Sequence, residues 1–545
     1  MRHNYFWLWA FLAIGPSFAQ TTPPANQARF EAWRAARFGM FIHWGPVSLT
    51  GREVGWSRGS QTPTEEYDRL YQRFNPVKFD ADAWAALAHD AGMKYMVFTT
   101  KHHDGFCNFN TKQTDYNIMH TPFGRDVTGE LAAACKRHGV RFGTYYSVCD
   151  WHHPDFPFTG PGGKVKKEQS DLEAYTRYLK AQVRELITQY GPLEVLWFDV
   201  SQGFDAKRGQ EVVDYVRSLQ PDILINNRCA NPGDFTTPEQ RVGVFQMSPP
   251  WESCITIGTQ WAWRPDDRVK TLKECVQTLV LCAGGDGNLL LNVGPNAQGE
   301  IEPEQAQRLR EMGAWLARYG ESIYGTRGGP YKPTRRLAST RRGNVIYLHL
   351  LRSEERVSLP GLPCRVTAAT LLTGGTVRVI RRPDRLVLRL KPAQPDAIDT
   401  LVKLELAGDV MGLAPITVPT DEQITASNTY HQMDEYAPER ALDGDEHTRW
   451  ATDSGTHQAW LEVDLRWPRI VTSFRLMEAC GSRVQKFQLE VEEGGKRRPF
   501  YTGTTVGEKL QASFEPLVVR RVRLNILQAT EGPTIWEFAL LPEAK

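Results

Sequence analysis

Apolar and polar positions in the first three hundred residues switch repeatedly between a helical and an extended period. From Asp171 to Tyr190 the side chains Leu172, Tyr175, Leu179, Val183, Leu186 and Tyr190 recur at helical spacing, and Gly191-Pro192 breaks the run. Leu193 to Phe198 then restarts as a nearly continuous apolar stretch that ends in Asp199. Such a stretch predicts a buried parallel strand that delivers one carboxylate to the rim of a sheet. The unit recurs: Asp80 caps a helix closed by Gly92, and the strand from Lys94 to Thr100 runs into Lys101-His102-His103-Asp104. Asp126 caps another helix, Gly139 ends it, and Val140 to Ser147 is extended. Arg37 to Gly45 is the first strand, a helix from Arg208 to Leu219 leads to the strand Ile223 to Asn226, Asn288 to Leu291 is a late strand, and a last helix starts at Pro303 and stops at Gly320.

Strands alternating with helices predict a parallel sheet, and about eight such units over some 300 residues suit a TIM-like (β/α)8 barrel. Between Asn226 and Arg268 the helices are missing, so the barrel is expected to be distorted. Ring-bearing and charged residues stand at the end of strand after strand: His43, His102 and His103, Tyr145 and Tyr146, Trp197 and Asp199, and Arg228. A barrel gathers its site on that face, whereas an open doubly wound sheet would gather it at one switch point. Beyond Gly328 the pattern becomes short alternating strands with Gly and Pro turns, which predicts an all-β part. The expected division is a leader (1–19), an α/β barrel (20–327), a β-sandwich (328–410) and a second β-sandwich (420–545).

Composition narrows the partners. The 65 basic and 63 acidic residues nearly cancel, and no long run of Lys and Arg provides a field for nucleic acid or an anionic membrane. Arg2 and His3, an apolar run from Tyr5 to Ile14, and Gly15-Pro16-Ser17-Phe18-Ala19 have the layout of a cleavable secretory signal, so a periplasmic or secreted protein without membrane insertion is expected. Nine scattered cysteines without CxxC pairs indicate neither a disulfide framework nor a zinc site. The oligomeric state is not legible.

A ring of imidazole, indole and phenol groups suits a neutral, hydroxyl-rich ligand such as a sugar. Retaining glycoside hydrolysis needs two carboxylates about 5 to 5.5 Å apart, one attacking and one serving as acid and then base. Asp199 is the expected nucleophile, against the alternative that it only caps the next helix. For its partner the expectation is Glu252, in Pro249-Pro250-Trp251-Glu252-Ser253-Cys254, where an indole and an apolar strip would raise a carboxyl pKa. Glu53, Asp266 and Asp267 compete for that role, and a surface Glu is the plain alternative. Neither His102-His103-Asp104 nor His152-His153-Pro154-Asp155 has the spacing of a helical metal motif, so no metal or other cofactor is expected in the barrel.

The stretch from Arg37 to Tyr324 resembles glycoside hydrolase family 29, the retaining α-L-fucosidases. The resemblance is carried by Phe41-Ile42-His43-Trp44-Gly45, Lys101-His102-His103-Asp104-Gly105-Phe106, Thr114-Asp115-Tyr116-Asn117, Trp197-Phe198-Asp199 and Asn288-Leu289-Leu290-Leu291-Asn292-Val293-Gly294-Pro295. It implies an exo-acting hydrolase of fucosylated glycans, with Asp199 as nucleophile and His43, His102, His103, Tyr145 or Tyr146, Trp197 and Arg228 contacting fucose. It also implies that Phe41 helps form the pocket for the sugar's methyl group. Glu252 resembles the acid/base of members whose motif reads Trp-Glu-Ser/Thr-Cys. Many relatives have Glu directly before the residue matching Trp56; here Gly55 stands there, and Glu53 is expected to replace that hydroxyl contact or to mark a different sugar selectivity.

The segment from Thr425 resembles discoidin-like, coagulation-factor type C domains, which are β-sandwiches of the jelly-roll kind. Ala441-Leu442-Asp443-Gly444-Asp445, Thr448-Arg449-Trp450, Leu461 to Leu465, Val522-Arg523-Leu524 and Glu537-Phe538 carry it. Such domains are often carbohydrate-binding modules with a structural calcium, here expected near Asp443, Asp445, Thr448 and Glu537. Two other readings stay open: a fucose-binding, lectin-like protein with a dead barrel, and a hydrolase of the same fold acting on a related 6-deoxy or galacto-configured sugar.

Overall fold

Seven parallel strands, β1 (Phe38–Ile42), β2 (Tyr95–Lys101), β3 (Arg141–Ser147), β4 (Val195–Asp199), β5 (Leu224–Ile225), β6 (Glu252–Thr256) and β7 (Asn288–Val293), curl into one sheet in the order β5-β4-β3-β2-β1-β7-β6. The computed structural model describes residues 24–160, 167–352, 354–393, 398–418, 423–442 and 448–541. The expected leader lies outside them, as do Asp443 and Asp445 of the expected calcium loop.

Helices Ala81–Asp90, Val127–Arg137, Leu172–Tyr190, Ala206–Leu219, Leu272–Gly284 and Pro303–Tyr319 cover the outer face of the sheet. Their starts are fixed chemically: Asp80, Asp126 and Asp171 accept hydrogen bonds from first-turn N–H groups, and Thr271 with Glu274 forms a capping box. Inside the curl a second apolar core, including Phe41, Tyr95, Tyr145, Trp197, Leu224 and Leu290, is shared with Trp33 of the helix Pro24–Ala36. Near it Asp286, wholly buried, is held by Arg34, Arg37 and Arg327.

The expected eight units become seven strands and a seam. β5 and β6 do not pair with each other; the segment 235–239 lies between them, with Phe235 bridged to Asn226, Thr236 to Trp251 and Glu239 to Cys254, all in parallel. Hydrogen bonds from Glu252 N to Thr236 O (2.9 Å), from Cys254 N to Pro238 O (3.0 Å) and from Gln240 N to Cys254 O (2.9 Å) make it an irregular eighth strand. No helix follows it because the chain returns directly to β6.

The chain then forms a five-stranded antiparallel sheet between Arg327 and Leu406 and a three-stranded one of Arg356–Pro360, Arg385–Pro392 and Gly375–Arg381, with a shared core. A third, antiparallel sheet spans Gln423 to Leu541 with its own core around Trp450, Phe474, Phe487 and Phe538. In it Glu537 is buried and pairs with Arg335 at 3.7 Å, and the Thr448 hydroxyl donates to Arg440 O at 3.4 Å. All nine cysteines are free thiols, and among the described residues no helix is long and apolar enough to cross a membrane.

Candidate active site

β4 ends in Asp199, and the following Val200 takes a left-handed backbone (φ 45°), a costly conformation for a β-branched residue. The turn aims the Val200 N–H at Asp199 Oδ1, 3.0 Å away. Arg228 Nη1 donates to the same oxygen at 2.9 Å, the Tyr145 hydroxyl donates to Oδ2 at 2.8 Å, and His103 Nε2 stands 3.7 Å from Oδ2. Burial pushes the carboxyl pKa up, but the Arg228 charge, His103 and the bonds from Arg228 and Tyr145 outweigh it, so Asp199 is held below the ordinary aspartate range. A buried carboxylate that its neighbours keep ionised is what a nucleophile requires.

Around it stand three imidazoles. Burial lowers His43 and His103 to about 4 and His102 well below its usual value, so all three are neutral at pH 7. His43 Nδ1 meets Asn292 Oδ1 at 2.7 Å, and Asn292 Nδ2 donates to Trp261 O, which fixes the amide and places the His43 proton on Nδ1. His103 Nδ1 meets Ser147 Oγ at 2.7 Å, whose own proton goes to Cys149 O. Both rings therefore keep Nε2 as an acceptor for ligand hydroxyls. His102 Nδ1 has no hydrogen-bond partner among the described residues.

Phe41 and Trp197 form the floor: Phe41 lies 4.5 Å from His43 and 5.2 Å from Trp197, and the Trp197 indole supports Tyr145 on one side and the Arg228 guanidinium, 4.8 Å from its ring. Trp56, 43% exposed, stands edge-on to His103 and Trp151 at the rim.

Three expectations need correction. Tyr146 faces the opposite side of β3 and donates to Gln182 of the helix Leu172–Tyr190, as strand alternation requires, so Tyr145 alone belongs to the site. Glu53 is engaged by backbone N–H groups: Oε2 accepts from Trp261 N at 2.8 Å, and Oε1 accepts from Ala262 N and Val54 N at 3.0 Å each. A Glu at Gly55 is excluded too, because this residue has φ 66° and its Cβ would lie 2.7 Å from His102 Nδ1.

Glu252 is the third. It does sit beside an indole, and burial raises its pKa to about 7. It is, however, the first residue of β6, with Cys254 and Thr256 still to follow before the strand reaches the face where Asp199 lies. Its carboxylate accepts from the Tyr95 hydroxyl and, at 3.1 Å, from Trp197 Nε1, beneath the pocket floor and only 1% exposed. In this structure its carboxyl faces the inner core and not the mouth of the pocket.

The carboxyl that the structure brings beside Asp199 is Glu239, at the upper end of the seam segment. Its Oε2 lies 2.8 Å from Arg228 Nη1, the same nitrogen that holds Asp199 Oδ1 at 2.9 Å. The two oxygens can stand no further apart than those contacts laid end to end, a bound that a retaining pair at about 5 to 5.5 Å satisfies. The Glu239 side chain is 43% exposed, open to an incoming leaving group. The signal for it in the sequence was the extended run Phe235-Thr236-Thr237-Pro238-Glu239, whose alternate members face inward. Trp261 and Asn292 were also missed; Trp261 packs over His43 at 4.9 Å and over Phe41 at 5.9 Å.

Residues 13–321 match the family model of alpha-L-fucosidase, and residues 423–539 match that of the F5/8 type C domain. The plasma alpha-L-fucosidase of Homo sapiens is 29% identical over 343 residues, covering 57% of this chain and 72% of the human one; an alpha-L-fucosidase of Branchiostoma floridae is 30% identical over 376 residues, covering 61% and 79%. Among solved structures, alpha-L-fucosidase isoenzyme 1 from Paenibacillus thiaminolyticus superposes with a TM-score of 0.65 at 39% identity over 70% of this chain and 99% of that one. An alpha-L-fucosidase from Bacteroides thetaiotaomicron, trapped as a covalent intermediate with 2-fluoro-fucosyl fluoride, superposes with a TM-score of 0.64 at 27% identity over 70% and 96%. With the model spanning more than half of its length and the strand-end site in place, the chain belongs to the alpha-L-fucosidase family.

Proposed function

We propose that the protein is an exo-acting, retaining α-L-fucosidase in which Asp199 is the nucleophile and Glu239 the acid/base. The observation that carries this reading is the meeting of both carboxylates on one Arg228 nitrogen at the mouth of a pocket of neutral imidazoles. Asp199 attacks C1 of a terminal fucosyl residue while Glu239 gives its proton to the departing oxygen. The C1–O bond to the leaving group breaks and a fucosyl ester of Asp199 forms. Glu239, now ionised, takes a proton from water; the water oxygen attacks C1, the ester bond breaks, and fucose leaves with the configuration it had. Arg228 and the Tyr145 hydroxyl keep Asp199 ionised and aimed. Double displacement needs two carboxylates and water, so the mechanism invokes no cofactor.

The substrates are fucosylated oligosaccharides or glycoconjugates, the C-terminal sandwich serves as a carbohydrate-binding module, and the protein is exported through its leader. The test is hydrolysis of a nitrophenyl α-L-fucoside followed by NMR. Nitrophenol release with α-fucose appearing first supports the reading; β-fucose first, or no release by folded protein, overturns it. The complete acid pair favours this over the lectin-like reading.

A further inference from the structure

The loop that follows β6 carries Trp261 over the pocket, and one half-buried carboxylate from a different loop holds its tip. Glu53 accepts both successive N–H groups, Trp261 N at 2.8 Å and Ala262 N at 3.0 Å, one on each oxygen. The Trp261 carbonyl is held by Asn292, whose other end fixes His43. Val54 packs with Ala262 in a small apolar cluster that Trp261 joins to the inner barrel core. Gly294, at the end of β7, lies so close that a Cβ there would come within 2.7 Å of Ala262 C. The tip is thus supported from three sides, and Glu53 is the support that can be removed without touching β7 or His43.

We infer that Glu53 is a positioning residue that latches Trp261 as the wall of the sugar pocket beside Phe41, and that the latch sets discrimination at the substituent on C5 of the sugar. Trp261 continues the apolar surface that Phe41 begins, so a methyl group there meets two aromatic rings, whereas a hydroxymethyl group would bring an oxygen against them without a partner. This inference rests on the α-L-fucosidase reading above. With the latch gone, Trp261 is free to swing away, and the pocket accepts the larger substituent at the expense of the smaller.

The test compares kcat/KM for nitrophenyl α-L-fucoside and nitrophenyl α-L-galactoside, which differ only by one hydroxyl at C6. Glu53→Ala and Trp261→Ala are each expected to lower the fucoside-to-galactoside ratio about tenfold, the scale on which a pocket senses one small group. The double variant is expected to fall no further than either single one, since both remove the same wall. Glu53→Gln, which keeps one acceptor oxygen, is expected to recover part of the ratio. Equal losses on both substrates with an unchanged ratio, or single effects that multiply in the double variant, would overturn the latch. Should Glu53→Ala not fold, an unchanged ratio in Glu53→Gln overturns it equally. Amide exchange at 261–262 separates this inference from the enzymatic reading. It should accelerate about tenfold or more in Glu53→Ala, and unchanged exchange refutes the latch, whereas a wild type inactive on both glycosides refutes the fucosidase.

Discussion

Replacing Glu239 by alanine removes the carboxyl that the structure brings to the nucleophile's side of the pocket, and leaving-group chemistry should expose it. A positioned general acid contributes roughly 10²–10⁴ in rate. For a natural glycan the departing alkoxide is a strong base and needs that proton, so kcat/KM should fall by about 10³ or more. Nitrophenolate leaves without help, so formation of the fucosyl ester should slow by less than about tenfold. The second step still lacks its base, so the ester should accumulate and give a burst. Azide needs no deprotonation and should speed turnover on the aryl fucoside. Its product has undergone two displacements and should be the α-azide, whereas azide rescuing Asp199→Ala has undergone one and should give the β-azide. Arg228 keeps its bond to Asp199 in the Glu239 variant, so the nucleophile stays aimed. The reasoning is refuted if Glu239→Ala loses the same factor on glycan and aryl substrate with no response to azide, or if Glu252→Gln shows the leaving-group signature instead.

Further outcomes follow from the same geometry. Asp199→Ala should lose all measurable turnover, with partial return in azide. Tyr145→Phe removes a donor from Asp199 Oδ2, so the acid limb of kcat/KM should move to higher pH, towards the ordinary aspartate value, while Tyr146→Phe leaves the profile in place. Glu252 has a folded pKa of about 7 against an ordinary 4.5, and burial is the main cause. Wild type should therefore lose stability, of order 3 kcal/mol, as pH rises from 4.5 through 7, and Glu252→Gln should not; denaturant melts at pH 5 and 8 would show the difference. Asp286→Ala leaves Arg34, Arg37 and Arg327 without their buried anion and should cost roughly 3–5 kcal/mol in the same assay.

The repeated helix, turn and strand of the barrel were legible because each layer states its own period: Asp171 caps, Leu172 to Tyr190 keeps one helical face apolar, and Val195 to Asp199 is buried throughout. Asp199 was legible for the same reason, as an acid ending an apolar strand. Glu239 left only the faint signal of a five-residue alternation, because the seam segment has neither the length nor the helix that announces a barrel strand; its pairing comes from β6, which follows it in the chain. Glu252 misled because an apolar, indole-rich setting raises a carboxyl pKa wherever it lies, and the sequence does not say at which end of a strand such a setting stands. The two tyrosines of β3 show the limit at its smallest: neighbours in sequence, they face opposite sides, and only the sheet decides which one meets the sugar.

Arg228 also stitches the seam. Its Nε donates to Thr237 Oγ1 at 2.7 Å and its Nη2 to Thr237 O at 3.0 Å, across the gap where β5 has already ended and offers no backbone ladder. One side chain is thus both the electrostatic anchor of the chemistry and the seal that closes the cylinder at its upper lip. A lysine there would keep the charge and lose the fork, letting the lip part and the two acids drift. Kinetics of Arg228 variants alone will therefore report mechanics and electrostatics mixed together, and only structures of those variants can divide them.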